Sequence, residues 1–170
     1  MNPGVHPAGL PVDALLAECD MRFTRRSGPG GQHRNKVETA VCLLHRPTGL
    51  RAEANERRSQ RENRDEAVFR LRLLLALGVR HEIESETAPS EFWQRRFAGG
   101  SPRINPRHED YPAILAEALD ALFHAGAEPR QAAAALGCSS TQLIKLVQKE
   151  PRAFSLLNQW RAERSLHALH

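Results

Sequence analysis

Residues 21–45 read MRFTRRSGPGGQHRNKVETAVCLLH, and they place a glycine-rich loop between two apolar segments. Three glycines and one proline fill residues 28–31, a composition that excludes regular helix and the middle of a sheet. The alternation of residues 21–24 predicts a short strand before the loop. In residues 37–45, apolar side chains occupy both odd and even positions. The segment therefore predicts a longer strand after the loop, covered on both faces.

The segment after these strands supplies a third strand and a helix. Pro47-Thr48-Gly49 predicts a turn, and the alternation of residues 50–54 predicts a strand that forms a hairpin with the one before it. Ser59 and Glu62 have the spacing of a capping box, and Gly78 is the stop signal of the helix that follows. We therefore predict an α+β domain with a small antiparallel sheet, one long packed helix and a protruding loop. The helix positions predicted to be buried are Ala67, Leu71, Leu74 and Leu75.

Positive charge is concentrated around the loop. Residues 21–80 hold 14 Arg and Lys against 6 Asp and Glu, whereas the rest of the chain holds 10 against 14. Clustered positive charge is typical of proteins that bind nucleic acid. The arginines predicted for the solvent face of the long helix are Arg61, Arg64 and Arg72.

Composition divides the chain into four segments. We predict a loose proline-rich leader, the α+β domain, a linker of fading periodicity and an all-helical module, with bounds at residues 1–11, 12–81, 82–108 and 109–170. Asp13 is expected to cap a short first helix that runs to Cys19. Trp93, within the linker, is expected to pack against a domain, and the stacking of nucleic-acid bases on its ring is the alternative.

The helical module is predicted to hold four helices. Pro112 opens the first, which ends near Gly126, and residues 129–136 form the second. Ser139 or Ser140 caps the third helix, which Pro151 closes. Residues 132–146 are similar to a helix-turn-helix core, so binding of duplex DNA is an alternative function. The third helix is expected to bury Leu143, Ile144 and Val147 and to expose Gln142, Lys145, Gln148 and Lys149. The fourth helix is expected to contain Phe154, Leu157, Trp160 and Leu166.

Several classes of protein are excluded by what the sequence lacks. The three cysteines are widely spaced and odd in number, which argues against a disulfide framework and favours a reducing compartment. No tight group of cysteines and histidines predicts a metal site, and His167 and His170 are expected to lie in a frayed tail. No apolar run is long enough to span a membrane, and no signal peptide opens the chain. We therefore expect a cytoplasmic protein without a metal or cofactor.

Three motifs in order resemble class I peptide chain release factors and related ribosome-rescue factors. The first is Ser-Gly-Pro-Gly-Gly-Gln-x-x-Asn-Lys over residues 27–36. The second is the His-x-Pro-Thr-Gly turn of residues 45–49, and the third is Arg-Ser-Gln-x-x-Asn over residues 58–63. The likeness covers about residues 18–80, a little over a third of the chain.

The resemblance implies that the loop hydrolyses the ester bond of peptidyl-tRNA in the peptidyl-transferase centre of the large ribosomal subunit. Gly30 and Gly31 supply the backbone shape, and the main-chain N–H of Gln32 contacts the reacting centre. The side chain of Gln32 excludes nucleophiles larger than water, and its amide is a candidate for methylation by a dedicated methyltransferase. His33, next to it, is expected to contact ribose or phosphate rather than to act as a base.

The resemblance also implies contacts to ribosomal RNA or to the acceptor end of tRNA. Alternatives stay open for some of these residues: Asn35 as a cap or turn residue, and Arg58 and Arg64 as solvated or paired with Glu56 and Asp65. His45 is expected to be either a structural histidine or an RNA contact. The proposed RNA-binding residues are Arg26, Ser27, His33, Arg34, Asn35, Lys36, Arg58, Arg61 and Arg64.

Full release factors of this family place a codon-reading domain before the catalytic domain, and about 20 residues precede the loop here. We therefore expect a codon-independent, monomeric ribosome-rescue hydrolase. Small rescue factors of the family carry a Lys/Arg-rich C-terminal tail, whereas a helical module is predicted here, so docking on a feature of the large subunit, on tRNA or on a protein partner are open alternatives. The alternative from another class is a ribosome- or RNA-binding factor whose loop does not catalyse.

Overall fold

The computed structural model describes residues 5–25, 39–81, 88–97 and 104–170. Within these ranges the chain holds three strands, seven α-helices and one 3-10 helix, which makes the α+β class a confirmed prediction. The chain divides into two compact units, Met1–Leu75 (unit 1) and Ala76–His170 (unit 2). The predicted domain bounds at residues 81 and 108 stay predictions.

Unit 1 is built around a three-stranded antiparallel sheet. Its strands are β1 (Cys19–Thr24), β2 (Ala40–His45) and β3 (Arg51–Ala54), and β2 lies in the middle. The β1–β2 register pairs Cys19 with His45 at one end and Thr24 with Ala40 at the other. The segment between Thr24 and Ala40 therefore leaves and re-enters the sheet at the same end.

One face of the sheet is buried. Val41 and Leu43 of β2 are fully buried, and their partners on β3, Ala54 and Ala52, are buried with them. On the opposite face Cys42 and Leu44 are only half-buried. The prediction that β2 is covered on both faces is therefore confirmed for one face and partly for the other.

The start of the chain differs from the predicted loose leader. A 3-10 helix spans Pro7–Gly9, and Ala8 and Leu10 are buried. Helix α1 (Val12–Ala17) begins one residue before Asp13, which lies in its first turn and does not cap it. Cys19, the predicted helix end, is the first residue of β1. The side chain of Arg72 donates from Nη2 to the carbonyl oxygen of Leu10, so Arg72 joins this segment to the unit instead of facing solvent.

Helix α2 (Gln60–Gly78) follows the sheet. The Ser59 hydroxyl accepts a hydrogen bond from the N–H of Glu62 at 3.3 Å, as the capping pattern predicts. The predicted apolar stripe is confirmed at Ala67, Leu71 and Leu75, whereas Leu74 is only half-buried. Gly78 is the last residue of the helix rather than the residue that follows it.

Unit 2 contains a helix that the sequence did not predict. Helix α3 (Glu91–Phe97) lies in the stretch expected to be a linker. The Ser90 hydroxyl accepts from the N–H of Trp93 at 3.2 Å and so caps its first turn. The Trp93 side chain is 1% exposed and donates from Nε1 to the carbonyl oxygen of Leu136 at 2.9 Å. Packing, rather than base stacking, is therefore the role of this ring.

The four predicted helices of the C-terminal region are confirmed as α4 (Tyr111–His124), α5 (Pro129–Ala135), α6 (Ser140–Gln148) and α7 (Pro151–Glu163). Helix α4 is buried on nearly every side and contacts each of the other three. Gly126 and Gly137 adopt φ of 65° and 66° just after α4 and α5, a left-handed conformation that glycine takes at little cost; Ala127 has φ of 62° in the same turn as Gly126.

Ser139, not Ser140, caps α6, through a capping box with Gln142. Leu143 and Val147 are buried as predicted, whereas Ile144 is half-buried and Leu146 takes its place in the core. Pro151 is the first residue of α7 as well as the stop after α6. The helix-turn-helix interpretation of residues 132–146 stays a prediction.

The C-terminal tail is held against α7 and is not a frayed helix. Helix α7 ends at Glu163, so Leu166 lies beyond it. Asn158 makes two hydrogen bonds to the backbone of Leu169, at 2.8 and 3.1 Å. Among the helices that the structure describes, none combines the length and the apolar character needed to cross a membrane.

Candidate functional site

The glycine-rich loop itself lies outside the described residues. This applies to the predicted catalytic residues and to the RNA-binding residues on the same loop. The residues concerned are Gly30, Gly31, Gln32, Arg26, Ser27, His33, Arg34, Asn35 and Lys36. Their roles stay predictions, and the structure describes the frame on which the loop is mounted.

Asn63 connects the end of the loop segment to the start of α2. Its side chain is fully buried, and Nδ2 donates to the carbonyl oxygens of Thr39 at 2.7 Å and Arg57 at 2.9 Å. Oδ1 accepts from the N–H of Arg57 at 2.9 Å. Both donors and the acceptor of the amide are therefore satisfied, as a buried polar group requires.

The position of Asn63 explains the third sequence motif, whose role sequence reasoning missed. Asn63 lies four residues before Ala67 and eight before Leu71, on the buried stripe of α2. That spacing was the available signal, because an asparagine on a buried helical stripe needs fixed hydrogen-bond partners. The first turn of α2 therefore lies beside the residue at which the chain enters β2.

His45 builds the turn at the opposite end of β2. The ring is fully buried, with Nδ1 at 2.8 Å from the Thr48 hydroxyl and Nε2 at 3.0 Å from Oε2 of Glu18. Gly49 closes the turn with φ of 70° and donates to the carbonyl oxygen of His45 at 2.8 Å. A fully buried ring cannot reach a nucleic acid, so His45 is the structural histidine of the two alternatives.

Part of the positive charge of unit 1 is used within the fold. Arg46 donates to the backbone carbonyls of Ala17 and Cys19 at 2.5 and 2.9 Å and closes the junction between α1 and β1. Arg70 pairs with Glu56 at 2.9 Å. Burial acts to raise the pKa of Glu56, but the hydrogen bond from Arg70 and backbone hydrogen bonds lower that pKa below its usual value. Glu56 is therefore not the ion-pair partner that the sequence suggested for Arg58 or Arg64.

Three cations at the start of α2 are left available. Arg58 and Arg61 are exposed, and Arg64 is half-buried with no hydrogen-bond partner for its Nε atom. No carboxylate within the described ranges lies at ion-pair distance from any of the three. Arg61 and Arg64 are three residues apart and so share a helix face. The positive end of the dipole of this 19-residue helix adds to their attraction for anions.

The exposed face of α6 is less available than the helix-turn-helix interpretation expects. Gln142 is used in the capping box, and Gln148 donates to the carbonyl oxygen of His170 at 3.3 Å. Lys149 donates from Nζ to the carbonyl oxygen of Ile104 at 2.5 Å. Three of the four predicted contact residues therefore bind within unit 2, which argues against DNA recognition by this helix.

Two carboxyl groups of α4, the half-buried Glu117 and the buried Asp120, bind segments of unit 2 that lie outside α4. Glu117 of α4 accepts from the N–H of Ser90 at 2.7 Å and from its hydroxyl, and burial raises the pKa of Glu117 although the Ser90 hydrogen bonds oppose the shift. Asp120 pairs with Arg80 at 3.1 Å. Burial raises the pKa of Asp120 to about 6, against the opposing charge of Arg80. Within the described residues, no group of His, Cys, Asp and Glu side chains could hold a metal ion.

Comparison with known proteins places the motifs in a family. The family model described as RF-1 domain matches residues 12–107, which extends past the three motifs and stops before α4. Peptide chain release factor 1 of Leuconostoc citreum is 41% identical over 95 residues, which cover 55% of this chain and 25% of that protein. Peptide chain release factor 1 of Xylella fastidiosa is 36% identical over 107 residues, or 63% of this chain and 26% of the relative.

A third relative, peptide chain release factor 1 of Rickettsia typhi, is 35% identical over 102 residues, or 59% of this chain and 29% of that protein. The chain thus spans little more than a quarter of the length of the curated relatives it matches. The family expected from the three motifs is confirmed. Because the family model covers more than half of its residues, this chain belongs to the RF-1 domain family.

Proposed function

We propose that this protein hydrolyses the ester bond of peptidyl-tRNA on the ribosome without reading a codon, in translation termination or in the rescue of stalled ribosomes. The observation that carries the proposal is the match to the RF-1 domain over residues 12–107, a range that contains the Gly30-Gly31-Gln32 sequence. The relatives that match are named as peptide chain release factors.

The chemistry needs stabilisation of negative charge more than it needs a side-chain base. Water attacks the ester carbonyl, and charge develops on the carbonyl oxygen and on the leaving ribose oxygen. A main-chain N–H held in a dry site can stabilise such an oxyanion by about 3 kcal/mol. Gln32 supplies that donor in the proposal, and Gly30 and Gly31 let bare backbone approach the ester.

The cations supply affinity for RNA. Arg58, Arg61 and Arg64 have no carboxylate partner in the described ranges, and we assign them to phosphates of ribosomal RNA or of the tRNA acceptor end. The loop residues Arg26, Arg34 and Lys36 are assigned the same role. The polar loop residues assigned to the same RNA are Ser27, His33 and Asn35.

Codon independence is the finer part of the proposal. The relatives are matched over about a quarter of their length, and the family model covers residues 12–107, which include the Gly-Gly-Gln sequence, so the proposal concerns the hydrolytic region and not a whole factor. The proposed partner is the large subunit at its peptidyl-transferase centre, in the cytoplasm. Methylation of the Gln32 amide by a methyltransferase belongs to the same proposal, and the mass of that peptide from native cells tests it.

The experiment measures release of labelled peptide from ribosome complexes that carry a stop codon, a sense codon or no codon in the decoding site. We expect equal release in all three, and a loss of about a hundredfold in Gly31→Ala because a methyl group blocks the approach of the backbone to the ester. Gly78→Ala is the matched control, since Gly78 is exposed at the end of α2 and tolerates alanine.

Two results would overturn the proposal. If Gly31→Ala releases peptide at the wild-type rate, the loop does not catalyse the reaction. If wild type binds the ribosome but releases no peptide, the protein is a non-catalytic binding factor. Release restricted to stop codons keeps the chemistry and removes codon independence.

A further inference from the structure

We propose that Asn63 is a positioning residue that holds the exit of the glycine-rich loop, together with the cation-bearing start of α2, in the arrangement needed for peptide release. The proposal rests on the function proposed above. It concerns a residue that contacts neither substrate nor water in the reaction and acts through the backbone of Thr39 and Arg57.

The geometry requires an asparagine. The amide donates two hydrogen bonds, to the carbonyl oxygens of Thr39 and Arg57, and accepts one from the N–H of Arg57. The asparagine amide offers two N–H donors on Nδ2 and an acceptor on Oδ1, on a side chain of this length. An aspartate keeps the acceptor and loses both donors, which places its charge against two carbonyl oxygens in a buried site.

The partners of Asn63 lie on both parts of the candidate site. Thr39 is the last residue before β2, and Ala40 after it pairs with Thr24 across the sheet. Arg57 is adjacent to Arg58 and two residues before the capping residue Ser59. One buried side chain thus sets the distance between the end of the loop segment and the first of the three available cations. A displacement of about 1 Å in a catalytic group can lower a rate by about a hundredfold.

His45 provides the comparison that separates positioning from stability. Asn63 and His45 are both fully buried and hydrogen-bonded; Asn63 binds the residue before β2, and His45 is the last residue of β2. Asn63 binds next to the end of β2 that receives the loop, and His45 lies at the opposite end. Loss of either side chain weakens the same sheet. Only the loss of Asn63 removes the hydrogen bond to Thr39, the residue that follows the loop segment.

The test compares Asn63→Asp with His45→Ala in single-turnover peptide release, over a series of factor concentrations. Urea titrations set a temperature at which both variants are at least about 95% folded. We expect Asn63→Asp to lower the maximal release rate at least about tenfold. We expect His45→Ala to remain within about threefold of wild type in both the maximal rate and the half-saturating concentration.

A pH series adds a second readout, taken only at pH values where urea titrations show both proteins to be at least about 95% folded. Below its pKa the introduced carboxyl group carries a proton and regains one donor for the Thr39 carbonyl, so the ratio of wild-type to Asn63→Asp rates falls as the pH is lowered. The pH series compares wild type with Asn63→Asp alone, because His45→Ala itself removes a titratable imidazole beside Glu18.

The outcomes distinguish the two proposals. If wild type releases no more peptide than Gly31→Ala, the proposed function fails and takes this inference with it. If wild type is active and Asn63→Asp matches its maximal rate, or if His45→Ala loses as much as Asn63→Asp, the proposed function stands and the positioning role is wrong.

Discussion

The two units bury different kinds of polar group. Within the described residues, unit 1 buries an imidazole and an amide, His45 and Asn63, whereas unit 2 buries a carboxyl group and a guanidinium, Asp120 and Arg161. The charge differs as well. Residues 1–75 hold 13 Arg and Lys against 9 Asp and Glu, and residues 76–170 hold 11 of each.

This difference shows where each unit keeps its charge. Unit 1 fixes its backbone with side chains of the motifs, and Arg58, Arg61 and Arg64 near the start of α2 have no carboxylate partner among the described residues. Unit 2 uses charged side chains as internal braces between helices and tail. Both units use some charged side chains as internal braces, Arg46 and Arg70 in unit 1 and Arg161 in unit 2. Under the proposed function, only unit 1 also offers cations to RNA, and each part of this contrast can be tested by substitution.

The largest effect on stability is expected at Arg161. Its side chain is 7% exposed and donates to the carbonyl oxygens of Ala127 at 2.6 Å and His167 at 2.7 Å. Arg161→Met keeps most of the packing and leaves both carbonyls without these donors, so we expect a loss of about 2–4 kcal/mol in the free energy of unfolding. Urea unfolding followed by tryptophan fluorescence measures it, because both tryptophans, Trp93 and Trp160, lie in unit 2.

The exposed Arg130 supplies the control for Arg161. Arg130→Met is expected to change the free energy of unfolding by less than about 0.5 kcal/mol. Equal losses of unfolding free energy in the two variants would show that the buried guanidinium does not stabilise unit 2. The part of the contrast between the units that concerns stability would then be wrong.

The next effect is a pH dependence that Asp120 contributes. Burial raises the pKa of Asp120 from 3.8 to about 6, against the charge of Arg80. Between these two pH values the folded protein holds this proton more tightly than the unfolded chain does, so the stability contributed by the proton falls as the pH rises. We expect wild type, relative to Asp120→Asn, to lose roughly 2–3 kcal/mol between pH 4 and pH 7.

Urea titrations of wild type and Asp120→Asn at several pH values test this dependence. The other charged and titratable groups near Asp120 are Arg80, His81 and His124, which both proteins share, so the difference reports the Asp120 carboxyl group together with its coupling to these three neighbours. A constant difference across the series would mean that Asp120 titrates as it does in the unfolded chain. The opposite slope would mean that Arg80 outweighs burial.

Patterns of local period predicted most of the elements in both units. The strands, α2 and the four C-terminal helices follow from apolar spacing and from Gly, Pro and Ser at the ends of helices. These signals depend on residues only a few positions apart, so they can be recognised in the sequence without knowledge of the fold. Helix α3 is as short as α5 but lies in a stretch without apolar periodicity, and its buried Trp93 bonds to the carbonyl oxygen of Leu136, 43 residues away.

The roles of single polar residues were less predictable, because their partners are distant in sequence. Arg72 donates to the carbonyl oxygen of Leu10, and Arg70 pairs with Glu56. The position of an arginine on a helix therefore does not predict whether its side chain faces solvent or binds within the fold. Asn63 and His45 were found as parts of motifs, but a motif alone does not show whether a residue binds a partner or stabilises the fold. The loop residues keep roles that come from the family resemblance alone.

A smaller effect is expected from the cap of α6, where the sequence left Ser139 and Ser140 as alternatives. The Ser139 hydroxyl accepts from the N–H of Gln142 at 3.2 Å. Ser139→Ala is therefore expected to lower the free energy of unfolding of unit 2 by about 1 kcal/mol, and Ser140→Ala by less than about 0.5 kcal/mol. The fluorescence titration used for Arg161 measures both, and equal losses would contradict the assigned cap.

The smallest expected effect tests the binding half of the comparison. Arg58→Gln or Arg61→Gln removes one exposed cation from unit 1, and each is expected to reduce by roughly 1 the slope of the logarithm of ribosome affinity against the logarithm of salt concentration. Arg130→Gln in unit 2 carries the same change of charge on an equally exposed side chain and is expected to leave the slope unchanged. Co-sedimentation with large subunits at several salt concentrations gives the three slopes. If the Arg130 variant moves the slope as much as the Arg58 variant, the attraction belongs to the net charge of the chain rather than to the start of α2, because a long-range attraction does not depend on which unit holds the arginine.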